Sequence, residues 1–117
     1  MSFLNDLGTV ILEWKRDPIK DEWAFDHFRS QSIPRLSTHD AFELMNQVLR
    51  LLVDEKDDST ALELLQTLLT MARHSQTTEM PSGLVENMDV LKSRFSAMGE
   101  YEREKMGELL NYYRVRL

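Results

Sequence analysis

An acidic run is the first feature of this sequence whose residue types could do chemistry. The run VDEKDDST contains Asp54, Glu55, Asp57 and Asp58. Closely spaced carboxylates are typical ligands of Ca²⁺, but the run lacks the glycine and the Glu at the twelfth position that an EF-hand loop requires. Two interpretations stay open: a solvated turn with a capping Asp, or a contact surface for a basic partner.

A second acidic group lies on the second predicted helix. Glu22 and Asp26 are four residues apart and share one helix face, with Asp21 beside them. A carboxylate metal site in a helical bundle would also need a Glu-x-x-His motif on a facing helix, and the sequence has none. We therefore interpret this group as surface carboxylates and as further candidates for partner binding.

The remaining enzyme-like features are two histidines. His39 is followed by Asp40, but adjacent residues on a helix point about 100° apart, so a helix N-terminus explains the pair better. His27 lies four residues after Trp23 and is interpreted as a surface or stacking residue. Phosphate loops, nucleophile elbows and zinc-spaced histidine pairs do not occur. We predict no enzyme, no metal and no cofactor.

Composition predicts one soluble domain over residues 1–117. Hydrophobic residues make up 42% and charged residues 29%, and no apolar run approaches the roughly 18 residues of a membrane helix. The N-terminus has no basic region and places Asp6 within its apolar stretch, unlike a signal peptide. The absence of cysteine excludes disulfides, thiolate metal sites and Cys nucleophiles, and it fits a cytoplasmic location.

The net charge of −6 is concentrated in the first half of the chain. Residues 1–63 carry 13 acidic and 7 basic side chains, whereas residues 64–117 carry 7 of each. Nucleic-acid binding draws its affinity from Lys and Arg, so this balance disfavours it. An acidic surface attracts a basic protein partner, although the same charge also serves solubility alone.

The elements that must position these residues are helices. From Ala41 to Ala72, apolar side chains recur at i, i+3, i+4 and i+7 in two runs that the acidic bend separates, which predicts an antiparallel helical hairpin. Helix starts are indicated at Ser2, at Asp17-Pro18, at Ser37 and at Asp58 or Ser59. Loops are predicted over 30–36 and 74–83, with a break at Gly99.

The apolar spacing also predicts which side chains face the core. The inward positions outside the hairpin are Phe3, Leu4, Leu7, Val10, Ile11, Trp14, Ile19, Trp23, Ala24, Phe28, Leu84, Val85, Met88, Leu91, Phe95, Tyr101, Met106, Leu109, Leu110 and Tyr113. We predict an all-α fold of about six helices in stacked antiparallel hairpins, either a short HEAT-like solenoid or an irregular helical bundle. No strict repeat register is visible.

One segment resembles a known group of proteins. The run ALELLQTLLTMARHSQTTEMPSGL, residues 61–84, is a Leu-rich helix that leads into a Thr-Thr-Glu-Met-Pro loop. It resembles small all-helical immunity proteins of bacterial polymorphic-toxin and contact-dependent growth-inhibition systems. The resemblance implies a cytoplasmic, non-catalytic protein that binds one cognate toxin domain, often a basic nuclease, and blocks it.

Two hypotheses of function follow. The first is an immunity protein whose acidic surface covers a cationic toxin, with aromatic anchors supplying the central contacts. Its candidate partner-binding residues are Asp21, Glu22, Asp26, Asp54, Glu55, Asp57 and Asp58. The second is a scaffold or adaptor that binds a partner helix in an apolar groove between hairpins, with weak salt dependence. Neither hypothesis involves nucleic acid or membrane, and the oligomeric state stays open.

Overall fold

Six α-helices and one 3₁₀ turn make up the part of the chain that the computed structural model describes, residues 2–17 and 23–114, and no strand occurs there. The helices are α1 (Phe3–Arg16), α2 (Trp23–Ser32), α3 (Thr38–Asp54), α4 (Asp58–Ser75), α5 (Ser82–Met98) and α6 (Glu100–Tyr112), with the 3₁₀ turn at Ile33–Arg35. The all-α class is therefore confirmed. The radius of gyration is 13.5 Å, close to the roughly 13 Å of a compact fold of this length.

Side-chain caps explain where several helices begin. The Ser2 hydroxyl accepts from the Asn5 N–H and starts α1, and Ser37 accepts from Asp40 and starts α3, as predicted. The cap of α4 is Asp57, one residue before the predicted Asp58 or Ser59. A carboxylate at the N-cap satisfies N–H groups that have no partner within the helix, and Asp57 is the residue placed to do so.

Two predicted loops are shorter in the structure: the loop over 30–36, and the loop over 74–83, where α4 continues to Ser75 and α5 begins at Ser82. The loop predicted over 30–36 is shorter, because α2 continues to Ser32 and the chain then forms a 3₁₀ turn around Pro34. Ile33, 1% exposed, anchors that turn in the core. Gly99 interrupts the chain between α5 and α6, as predicted, with a φ of 157°. The restart predicted at Asp17-Pro18, including the inward position Ile19, lies mostly outside the described residues.

Helix α4 is the centre of the packing. It contacts α1, α2, α3 and α6, and the hairpin predicted from the sequence is formed by α3 and α4. Its buried residues cover more than one face: Thr60, Ala61, Leu64, Leu65, Thr67, Leu68, Leu69, Met71, Ala72 and Ser75. Helix α5 packs on α3 and on α6. This arrangement leaves one side of α3 open to solvent between α1 and α5.

Three side chains predicted to face the core are exposed instead: Trp23 at 59%, Val85 at 59% and Tyr101 at 50%. In α2 the buried positions are Phe25, Phe28 and Arg29, which share one helix face, and Trp23 lies about 200° of helix rotation away from Phe25. The predicted phase of α2 depended on Ile19, which is not part of the described helix. The apolar periodicity therefore predicts the helix and the burial of Phe28, but it places Trp23 on the wrong side of the helix.

A hydrogen bond to the Asn46 side chain of α3 holds the start of α5 beside α3. The N-cap of α5 is Pro81, which has no side-chain acceptor, and the Asn46 side-chain oxygen accepts from the Gly83 N–H at 2.8 Å instead. A Cβ at Gly83 would lie 3.0 Å from that oxygen, so the glycine permits the close approach. One of the unpaired N–H groups of α5 is therefore satisfied from a neighbouring helix.

We expect Asn46→Ala to lower the free energy of unfolding by about 1 kcal/mol, the usual loss on removing a helix cap. Urea denaturation followed by circular dichroism measures the change. Gln47→Ala is the matched control, since Gln47 is exposed and should change stability by less than about 0.5 kcal/mol. Equal losses in the two variants would contradict the capping role of Asn46.

Candidate protein-binding surface

The acidic bend between α3 and α4 is largely occupied by contacts within the chain. Glu55 lies 2.8 Å from the Lys15 ammonium of α1, and it also accepts from the Asp57 N–H at 3.0 Å. Its side chain is only 9% exposed. Glu55 therefore connects the end of α1 to the segment between α3 and α4, and its carboxylate is largely shielded from solvent.

Asp57 and Asp58 also have partners in the chain. The Asp57 carboxylate accepts from both the N–H and the hydroxyl of Thr60, at 2.9 and 2.6 Å. These hydrogen bonds lower the pKa of Asp57 below its ordinary value of 3.8, since they favour the ionised form. Asp58 lies 3.3 Å from Arg94 of α5, although its side chain stays 69% exposed.

The cap formed by Asp57 makes the stability of α4 depend on pH. Because the folded pKa is lowered, the contribution of Asp57 is complete above 3.8 and is lost as the pH falls through the folded pKa. We expect Asp57→Ala to lose about 1 to 2 kcal/mol of unfolding free energy near pH 7, and the deficit to shrink below pH 3.8. Thermal denaturation across the pH range measures it.

Asp57→Asn is the control, because asparagine keeps the capping oxygen without the titratable charge. It should stay within a few tenths of a kcal/mol of the parent at neutral pH. A deficit of Asp57→Ala that does not change with pH would contradict the assignment.

Asp26 belongs to a polar network rather than to a free acidic face. Its carboxylate lies 2.6 Å from the Arg29 guanidinium, which also reaches the side-chain and main-chain oxygens of Glu63 and the hydroxyl of Thr67. The Arg29 side chain is 9% exposed. Burial raises the pKa of Glu63 above its ordinary value of 4.5, against the opposing effect of Arg29. Asp21 and Glu22 lie outside the described residues.

Asp54 is the exception among the predicted residues that the structure describes. It is the last residue of α3, is exposed, and forms no ion pair or hydrogen bond with the described residues. Its carboxylate is therefore available to a partner. The partner-binding role of the whole predicted set stays a prediction, but most of its members stabilise the fold in the free protein.

A second acidic surface, which the sequence did not indicate, lies at the other end of α3. Three carboxylates and three apolar side chains line one depression of about 400 Å³, which we name the acidic depression: Glu43, Glu79, Glu86, Phe42, Met80 and Val85, together with Asn46 and Ser82. Its lining contains no Lys or Arg. Negative charge at the rim and apolar area between the charges suit a basic protein surface.

The carboxylates of the acidic depression are free to pair with a partner. Glu79 and Glu86 are exposed, and their side chains form no ion pair with the residues described. Glu43 approaches only the exposed His39, at 4.0 Å. Glu79 and Met80 come from the Thr-Thr-Glu-Met-Pro loop, whereas Glu86 follows on α5, and the bond between Asn46 and Gly83 fixes α5 beside α3.

An apolar groove runs between α1 and α3 on the open side of α3. Its volume is about 620 Å³, and its apolar lining comes from Leu4, Gly8, Ile11, Leu12 and Leu51. Leu12 is 62% exposed and Leu51 is 40% exposed. Arg50 and Asp54 lie on the α3 rim of this α1–α3 groove. A groove of this kind is what the adaptor hypothesis requires.

The structure describes the two histidines and the aspartate that are the most enzyme-like residues of the sequence. His39 and His27 are exposed on helix surfaces, and Asp40 donates its N–H to the Ser37 cap. Within residues 2–17 and 23–114, no group of three or more His, Asp or Glu side chains is placed to hold a metal ion. Over the same residues, no helix has the combined length and hydropathy of a membrane span.

Comparison of the chain with protein-family models, with curated proteins and with solved structures found no match. Two features of the chain therefore bear on its function: the surface itself and the resemblance of residues 61–84. The acidic depression lies toward the N-terminal end of α3 and the α1–α3 groove toward its C-terminal end, and each places unpaired charges beside exposed apolar side chains.

Proposed function

We propose that this chain is a cytoplasmic, non-catalytic immunity protein that binds and neutralises a cognate bacterial toxin domain. The toxin domain would be basic, as many nucleases are. The observation that carries the proposal is the acidic depression, whose lining combines Glu43, Glu79 and Glu86 with apolar side chains and contains no Lys or Arg. Such a surface attracts a cationic partner over a distance and gives it apolar area to cover.

The resemblance and the geometry support each other at one segment. The Thr-Thr-Glu-Met-Pro loop carries the resemblance to immunity proteins, and the same loop supplies Glu79 and Met80 to the acidic depression. Phe42, which is half-buried, is the aromatic side chain in the acidic depression and the candidate for a central contact, and Val85, 59% exposed, adds apolar area to the same depression. Binding there would cover the cationic cleft of the toxin and so prevent the toxin's substrate from entering it.

Rescue of growth tests this proposal. A toxin domain encoded by the gene adjacent to this one is expressed in cells with and without the chain, and we expect growth only when both proteins are made. Cells that die although both proteins are folded and present would overturn the proposal for that pair. A complex that forms without blocking toxicity would favour the adaptor hypothesis, which predicts binding that changes little with salt.

A further inference from the structure

The α1–α3 groove carries an inference that is independent of the proposed toxin binding. Four residues on the exposed side of α3 line the groove at spacings i, i+3, i+4 and i+7: Gln47, Arg50, Leu51 and Asp54. Residues at this spacing share one helix face, as in a helix–helix contact; here Leu51 is the apolar member and the other three are polar or charged. No described element covers it, and Leu12 of α1 stands beside it at 62% exposure.

The charges on this face indicate what would cover it. Arg50 and Asp54 are one helical turn apart, have opposite signs, and form no ion pair or hydrogen bond with the described residues. A two-fold axis that crosses α3 between them would place Arg50 of one copy against Asp54 of the other, and the reverse. The surface is thus complementary to itself.

We propose that the α1–α3 groove is the interface of a homodimer in which α3 packs antiparallel to α3 of a second copy. Leu51 and Leu12 occupy the centre of this interface, and two Arg50–Asp54 pairs flank it. On the α1 side, Gly8 leaves room for a side chain of the second copy, because a Cβ at this position would meet nothing within 4 Å.

The size of the face predicts a weak dimer. Helices of 14 and 17 residues are about 21 and 25 Å long and pack about 10 Å apart, so the face buries several hundred Å² on each copy. Interfaces of that size are transient. The net charge of −6 also opposes self-association at low ionic strength, so the dimer should form best near physiological salt.

Exchange of the two charges tests the interface. Sedimentation velocity is run from low micromolar to near-millimolar protein on the parent chain, Arg50→Asp, Asp54→Arg and the double variant Arg50→Asp/Asp54→Arg. We expect the parent to approach the dimer mass, with at least a tenfold weaker association in each single variant, because like charges then face each other. The double variant should form the dimer again, because opposite charges then face each other in exchanged positions.

A folding check and one further variant, Gly8→Arg, accompany this experiment. Both residues are exposed, so the variants should fold, and circular dichroism checks this. Gly8→Arg adds a long charged side chain at a position where a Cβ meets nothing within 4 Å, and it should also prevent the dimer. A parent chain that stays monomeric throughout, or a dimer that all four variants form equally well, would overturn the proposal. A double variant that stays monomeric would likewise reject the Arg50–Asp54 pairing.

Discussion

Arg29→Ala is expected to lose about 3 to 5 kcal/mol of unfolding free energy, a large part of the roughly 5 to 15 kcal/mol of a typical domain. The Arg29 guanidinium joins Asp26 to Glu63 and to the fully buried Thr67. Removing it leaves the Glu63 carboxylate, 17% exposed, without the cation that pairs with it in the described part of the chain. Chemical denaturation of the variant and the parent at pH 7 measures the loss.

The loss should also depend on pH. Since burial raises the pKa of Glu63 above 4.5, the native state binds more protons than the unfolded state in the window above 4.5, and stability falls as the pH rises through it. Without Arg29 this pKa rises further, so acidification toward pH 4.5 should recover part of the deficit.

Arg103→Ala is the matched control, since Arg103 is 59% exposed and pairs only with Glu100 on the surface. It should change stability by less than about 0.5 kcal/mol. An Arg29→Ala loss of similar size would show that the buried network contributes nothing particular to the fold.

Reversal of two charges in the acidic depression is expected to slow toxin binding strongly. In Glu79→Lys/Glu86→Lys, a basic partner meets two cations where it now meets two unpaired carboxylates. We expect the association rate constant to fall roughly tenfold to a hundredfold at low salt, and the difference to narrow as salt screens the charges. Stopped-flow mixing with the toxin domain over a range of ionic strength measures it.

Glu13→Lys/Glu104→Lys separates the local effect from the effect of total charge. Glu13 and Glu104 are exposed and lie outside the acidic depression, and both double variants change the net charge from −6 to −2. The control should slow association far less. Equal slowing in the two variants would mean that only the overall charge matters and that the acidic depression is not the binding surface.

Much of this fold could be predicted because it depends on local patterns. The hairpin of α3 and α4, the caps at Ser2 and Ser37 and the break at Gly99 are each encoded by spacing or by one residue type. The rotation of α2 could not be predicted, because Phe25 and Trp23 are both large and apolar. Only the packing against neighbouring helices decides which of the two is buried.

The candidate surface was harder to predict because it depends on contacts between distant residues. A cluster such as Asp54, Glu55, Asp57 and Asp58 is obvious in the sequence, but whether each charge is free depends on Lys15 and Arg94 far along the chain. Glu43, Glu79 and Glu86 come together only when α5 packs on α3. The loop containing Glu79 carries the resemblance, and its sequence alone does not indicate that Glu79 lines the same surface as Glu43 and Glu86.

Neutralisation of a basic toxin domain by direct binding is what we propose for this chain. Titration of the purified toxin domain with the purified chain, with toxin activity and complex formation followed in the same samples, tests that claim most directly. We predict a saturable complex, with activity lost in proportion to the complex formed and affinity falling as salt rises. A folded chain that leaves an active cognate toxin unbound and uninhibited at every ratio would contradict it.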